Sequence, residues 1–400
     1  MIFIARGRIA SKTKKKLNFL CYGDPFTGKS TFVSQFAYMH NEDGSPMKTL
    51  FIDAESGSID LALDEMEKNG VDLRNIYILY TQSLGEVLDY IDKVKNGEDF
   101  YELDEDGVET DTVVVDAEGK PFRADAIVVD GVTVLHTAVQ QGLLEFSKKR
   151  ARVRADKNGL IGDEKLIAIE GSGLEIRDYG NIKYKGANLC LALLGSGVHS
   201  AITCRQEDEM VTVKDDKNQF NRVATGKKIP AGFKADLQYN VHTVLRFYRD
   251  ENNEVMADVE KDRTGVHPEE TLESPTMLDW QAIIDGNKGK SDFVLRNNLD
   301  TAVTTEQDIY SAEIMTNSSK SMSKSDMEKV KATSTSEASN NSAELDSLRA
   351  QIISTRNALV PAKKTEAKKA LEEKGLPTKY KEVTDANVLN EVLTLLKSFQ

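Results

Sequence analysis

Between residues 17 and 285 short apolar runs alternate with amphipathic stretches. Strands alternating with helices in a mostly parallel α/β sheet give this pattern. It predicts strands at 17–22 (LNFLCY), 49–54 (TLFIDA), 76–80 (IYILY), 126–130 (AIVVD) and 200–204 (SAITC). Near the end of the region VHTVLRFYR and EVMADVEKD flank DENN, which reads as a hairpin turning at Asp250 to Asn253. Residues 97–123 interrupt the alternation: they are acidic, carry the turn signals DEDG and AEGKP, and keep no helical period. An inserted β-hairpin is expected there. From 286 to 343 Ser, Thr, Asn and Lys dominate, which predicts a flexible linker. Apolar periodicity returns in 344–400 and predicts a C-terminal module of three short helices. Gly375 and Pro377 would end the second helix, and Thr384 or Asp385 would cap the third. Residues 1–16 form an N-terminal arm, an apolar MIFIA followed by a basic run. MIFIA suits a strand in its own sheet or an edge strand added to a neighbour's.

Composition narrows this picture. A net charge of −13 over 400 residues makes the chain acidic, so any contact with nucleic acid must come from local basic patches. Cys21, Cys190 and Cys204 lie in apolar runs and form no C-x-x-C pair, which predicts buried reduced thiols rather than disulfides or a zinc site. The five histidines show no ligand spacing. No apolar run approaches the ~18 residues of a membrane span, and MIFIARGR is too short for a signal peptide. A cytoplasmic protein with no membrane partner is expected.

The first candidate chemistry lies between a strand and a helix. GDPFTGKST, that is Gly23, Asp24, Pro25, Phe26, Thr27, Gly28, Lys29, Ser30 and Thr31, matches G-x-x-x-x-G-K-[ST]. Backbone N–H groups at such a helix start lack intrahelical partners and favour phosphate. The glycines let the backbone wrap the β-phosphate, Lys29 reaches the β- and γ-phosphates, and the Ser30 hydroxyl suits Mg²⁺. ADAIVVDG ends an apolar strand in Asp130, the acid expected to hold Mg²⁺ beside a phosphate loop. ATP and Mg²⁺ are therefore the expected cofactors. TLFIDAESG ends a third strand on the same edge, where Glu55 is placed to orient and deprotonate a water attacking the γ-phosphate. Strand alternation points Asp53 to the same side, either to tie down the loop or to touch the magnesium's water shell.

In order and spacing, TLFIDAESG, NGVDLRNIYILYTQSLGEVLDYIDKVKNG and ADAIVVDGVTVL resemble the core of the RecA-type recombinase ATPases. The resemblance is strongest to the phage-encoded RecA-like ATPases of the single-strand annealing (Sak) group, a kind of phage AAA protein, and spans roughly residues 15–285. It implies a RecA-type P-loop NTPase core at 17–285 and makes Glu55 the catalytic base. It makes Gln206 of ITCRQED the γ-phosphate sensor, with Arg205 as a substitute. It assigns the loop from Glu207 to Phe233 to single-stranded DNA, with Lys214, Arg222, Lys227 and Lys228 as contacts. Lys261 and Arg263 of VEKDRTG would act in trans on a neighbour's γ-phosphate. The basic KKRARVRADK, with Lys149 and Arg150, suits either a first DNA-facing loop or a solvated helix end, where cations are favoured.

The pattern departs from the bacterial recombinases in its acidic hairpin and in lacking their N-terminal polymerisation helix. A ring is therefore as well supported as a filament, and a single-strand DNA-binding protein is a candidate partner. The expected function is an ATP hydrolase that binds single-stranded DNA and promotes phage recombination or annealing. Two alternatives stand beside it: a ring-forming helicase-like or KaiC-like motor, and an ATP-controlled assembly protein that does not bind DNA.

Overall fold

In the computed structural model the described residues are 9–105, 107–214, 219–233, 235–295, 299–321, single positions from 348 onwards, and 386–399. Chain contacts divide the protein into two units, 1–306 and 307–400.

The first unit is built on a nine-stranded mixed sheet. Its parallel part comprises β1 (Asn18–Gly23), β2 (Thr49–Asp53), β3 (Ile76–Tyr80), β6 (Ala126–Asp130), β7 (His199–Lys214) and β9 (Thr243–Arg249). The antiparallel β10 (Val255–Asp262) and β11 (Thr271–Glu273) extend it beyond β9. The order across the sheet is β11-β10-β9-β1-β7-β6-β2-β3. Strand β7 thus lies between the strand that carries the glycine-rich loop and the strand that ends in Asp130.

Both faces of the parallel strands are covered, which is why they read as unbroken apolar runs. Alternation sends Leu20, Tyr22, Ile52, Val129 and Ile202 into one core, under α3 (Leu84–Asn96), α4 (Val132–Lys157) and α6 (Ile176–Gly195). Phe19, Cys21, Phe51, Val128 and Ala201 enter the other core, with α1 (Lys29–Ser34) and Trp280. The three cysteines are buried, as expected, and none is in a disulfide among the described residues.

The acidic insertion is a separate two-stranded sheet, β4 (Tyr101–Leu103) with β5 (Glu109–Val113). Phe100 and Phe122 at its base stack on each other and pack with Tyr77 and Tyr90.

Other expectations are corrected. The segment expected as a DNA-facing loop forms a long antiparallel arm, because β7 runs on past the sheet and pairs with β8 (Phe220–Pro230). Residues 286–343 do not form a linker throughout. Ser291 bridges to Thr13, Leu295 N–H donates to Gly195 O, and Leu299–Ser321 is a helix, α9. Ser and Thr are only mildly unfavourable in helices, so a composition shift alone did not exclude one. The stretch 322–347 and the MIFIA segment lie outside the described residues.

In the second unit Leu348, Ile352, Leu371, Leu389, Val392, Leu393 and Leu396 form a small apolar core. Its last helix, α10 (Ala386–Lys397), contributes four of these side chains. The proposed caps at 384 and 385 lie outside the described residues. No helix among the described residues is long and apolar enough to cross a membrane.

Candidate active site

Sheet register gathers the candidate residues at one edge. Gly23 at the end of β1 is opposite Arg205 on β7, and Asp53 at the end of β2 is opposite Asp130 at the end of β6. The carboxyl ends of parallel strands are where ligands bind in open α/β sheets.

Gly23 begins the loop where only glycine fits, since a Cβ there would lie 1.9 Å from Phe247 O. Gly28 caps α1 in the left-handed conformation, with φ +84°. Inside the loop the Thr27 hydroxyl donates to Asp24 O at 2.8 Å, and Phe26 is almost fully exposed. Lys29 Nζ donates to Asp24 O at 2.5 Å and Gly23 O at 3.3 Å. Burial holds its ammonium below the ordinary lysine value, against the opposing pull of Glu55 and Asp130. Arg249 was not foreseen. It steadies the loop from β9, its Nε donating to Phe26 O at 2.9 Å.

Asp130 is buried among hydroxyls. Thr203 Oγ1 donates to its Oδ1, and Ser58 Oγ lies 2.5 Å from its Oδ2. Burial raises its pKa, and the hydroxyls of Ser58, Thr203 and Ser30 oppose the rise. The oxygen set of Ser30 and Asp130 fits a hard cation such as Mg²⁺, which takes one or two protein oxygens beside phosphate and water. No group of three or more His, Cys, Asp or Glu suited to a metal occurs among the described residues.

Of its two open roles, Asp53 has that of tying down the loop. Its Oδ1 accepts from the backbone N–H of Glu55 and Ser56, and its Oδ2 from those of Gly57 and Ser58, all between 2.7 and 2.9 Å. Strand alternation is therefore not what aims Glu55, contrary to expectation. Strand β2 stops at Asp53, and Ser56 and Gly57 turn with positive φ, so Glu55 is aimed by a loop folded onto Asp53. Its side chain passes so close to Gly131 that a Cβ there would lie 2.6 Å from Glu55 Cγ. Its Oε1 accepts from Arg205 Nη2 at 3.1 Å and Nε at 3.3 Å.

The implied sensor, Gln206, stands elsewhere. Thr203 and Arg205 share one face of β7, so Gln206 shares the opposite face with Cys204, and its Oε1 is buried without a partner among the described residues. Arg205, the substitute, is the residue that meets Glu55.

Lys261 is likewise occupied within its own chain. Its Nζ donates to the carbonyls of Gln238, Tyr239 and Val241 at 2.6 to 3.1 Å, closing the end of α7 (Ala235–Asn240). Arg263 is exposed, and its backbone N–H donates to His242 O at 3.1 Å. It lies beside His242 at the edge of the sheet opposite the phosphate loop.

Arg150 is withdrawn from the DNA-contact set. Its guanidinium forks onto Asp178 at 3.0 and 2.5 Å and supports the capping box of α6. Lys149 beside it is exposed. On the arm, Lys228 pairs with Asp208, whereas Lys214, Arg222 and Lys227 are exposed.

A phosphate loop, a buried magnesium-type aspartate and a glutamate on the neighbouring strand end define a P-loop nucleotide hydrolase. The family model described as "AAA domain" matches residues 15–267, more than half of the chain, and the protein belongs to that family. It is therefore an ATPase with a nucleotide-binding core. No curated protein matches the chain significantly. Among solved structures it is similar to a KaiC-like protein of the hyperthermophilic archaeon Pyrococcus horikoshii OT3, at 15% identity and a TM-score of 0.35. That match covers 64% of this chain and 84% of the archaeal one.

Proposed function

We propose that the protein couples ATP hydrolysis to binding of single-stranded DNA and supports phage recombination or strand annealing. The β7–β8 arm carries this reading. Register and alternation put Met210, Thr212 and Lys214 on one face with Phe220, Arg222 and Ala224. Phe220 is 74% exposed, with the Lys214 ammonium 5.9 Å from its ring centre. An exposed aromatic ring on a face that also carries Lys214 and Arg222 suits a base stacked beside its phosphates, without sequence preference. The arm's root adjoins the nucleotide site, since the Thr133 hydroxyl at the start of α4 accepts from Arg205 N–H and donates to Ala231 O. The resemblance to phage annealing ATPases supports the recombination setting.

At the site, Glu55 accepts the proton of the attacking water, while Lys29 and the loop's N–H groups hold the phosphates in line. Ser30 and Asp130 would hold Mg²⁺, which supplies charge neutralisation at the β- and γ-phosphates when bound. Arg263 of a neighbouring subunit would complete the site from a basic cavity of about 870 Å³ that Lys15, Lys16 and Lys290 also line. One observation favours the assembly reading: Val211, Val213 and Val223 form an exposed apolar set on the arm's other face, suited to a second subunit.

Phosphate release and oligo(dT) anisotropy, each at two salt concentrations, test the proposal. DNA should bind more tightly at low salt and stimulate turnover. Glu55→Gln should keep ATP binding within about threefold and lower kcat by at least ~100-fold. Absence of both binding and stimulation at low salt would remove DNA from the function. Unaltered hydrolysis in the variant would remove Glu55 from its role.

A further inference from the structure

We propose that Arg205 restrains the carboxylate of Glu55 and ties its release to the root of the β7–β8 arm. This rests on the reading of Glu55 as the base. Arg205 marks the point where β7 leaves the parallel sheet: it is opposite Gly23 of β1, while the next residue, Gln206, is opposite Pro230 of β8. Its backbone is fixed on both sides. The N–H donates to Thr133 Oγ1 at 3.0 Å, and the carbonyl accepts from Ala231 N–H at 2.7 Å.

From this root the guanidinium reaches back across the site and engages a single oxygen of Glu55, Oε1, through Nη2 and Nε. A carboxylate whose lone pairs accept from a guanidinium is a weaker acceptor for a water's proton. The ion pair is not buried, the two side chains being 36% and 62% exposed. Exposed pairs are weak. Weakness suits a restraint that a modest displacement must undo. Thr133 is the link, because its one hydroxyl joins both strands of the arm to the helix that follows Asp130 and Gly131. Any arm movement that breaks those bonds carries the guanidinium away from Glu55. Arg205 is thus a positioning residue.

The test is steady-state ATP turnover by the full chain and its Arg205→Ala, Thr133→Val, double and Glu55→Gln forms. Arg205→Ala should raise basal kcat about three- to fivefold, the range an exposed ion pair supports, with KM for MgATP within about twofold. Thr133→Val should raise kcat in the native background and add nothing once Arg205 is alanine. A purely structural role would lower kcat or the melting temperature instead. If Arg205→Ala leaves kcat unchanged or lowers it while Glu55→Gln is inactive, the restraint is wrong and the base assignment stands. If Thr133→Val acts equally in both backgrounds, the tie to the arm is wrong. If Glu55→Gln still turns over at the native rate, the base assignment fails and the restraint with it.

Discussion

Glu55 owes its position to residues that carry no chemistry of their own. Asp53 folds the loop beneath it, and Gly131 leaves the space beside it. Gly131 has φ +90°, which strains any other residue, and an added Cβ would displace Glu55 Cγ. Gly131→Ala should therefore destabilise the fold by about 1–3 kcal/mol and lower kcat by ~10- to 100-fold, with little change in nucleotide affinity. Thermal unfolding and ATP titration against turnover check this; an equal loss in affinity would mean that the phosphate loop, not Glu55, had moved. The phosphate loop, Asp130 and Glu55 were legible in the sequence because each sits in a local pattern at a strand end. Arg205 was named only as a stand-in sensor, and its partner lies 150 positions away. Ser58 and Thr203 were missed for the same reason, since their partner is set by register across the sheet and no short motif records it.

Elements were legible where burial imposed a period. The five parallel strands foreseen are present because both their faces are covered. The β7–β8 arm was not foreseen: it is solvent-exposed on both faces, so no apolar alternation marks it, and its strands are defined only by pairing with each other. The strand junction β1–β7 carries a pH-dependent contribution to stability. His199, the first residue of β7, is buried and accepts from Leu17 N–H at 3.1 Å through Nδ1. Burial pushes its pKa down from 6.5 to about 3. Below pH 6.5 the unfolded chain takes up a proton that the folded chain refuses, so the unfolded state binds more protons and stability falls as pH drops from 6.5 towards 3. By pH 5 the loss from this one group is about 2 kcal/mol. Burial also lowers the pKa of His242, with the same sign. Urea unfolding at pH 7 and pH 5 should thus show a marked drop for the native chain and a smaller one for His199→Gln. Equal drops in the two proteins would show that His199 is already protonated in the folded state.

At the scale of the whole molecule, sheet polarity separates the two halves of the proposed catalytic machinery. The phosphate loop follows the last residue of β1, whereas Arg263 follows the end of β10, beside the first residue of the parallel strand β9. A six-residue strand is about 20 Å long, so Arg263 and the phosphate loop of one chain lie at opposite edges of the sheet. Arg263 can then serve a γ-phosphate only on another copy, through a head-to-tail contact that joins different surfaces of identical subunits. Such a contact closes into a ring or continues as a filament, and either form places each Arg263 at a neighbour's loop. Complementation follows from this geometry. Lys29→Ala destroys the loop but keeps the arginine, and Arg263→Ala does the reverse. Each variant alone should lose at least ~100-fold in phosphate release, given the usual worth of a trans-acting arginine. In an equal mixture with exchanging subunits, about a quarter of the interfaces pair an intact loop with an intact arginine, and activity should recover to about that fraction of the native rate. Recovery of this size requires that loop and arginine come from different chains, because no single chain in the mixture holds both. A mixture no faster than its components would place Arg263 outside the catalytic site and leave the basic cavity around it as a feature of a single subunit.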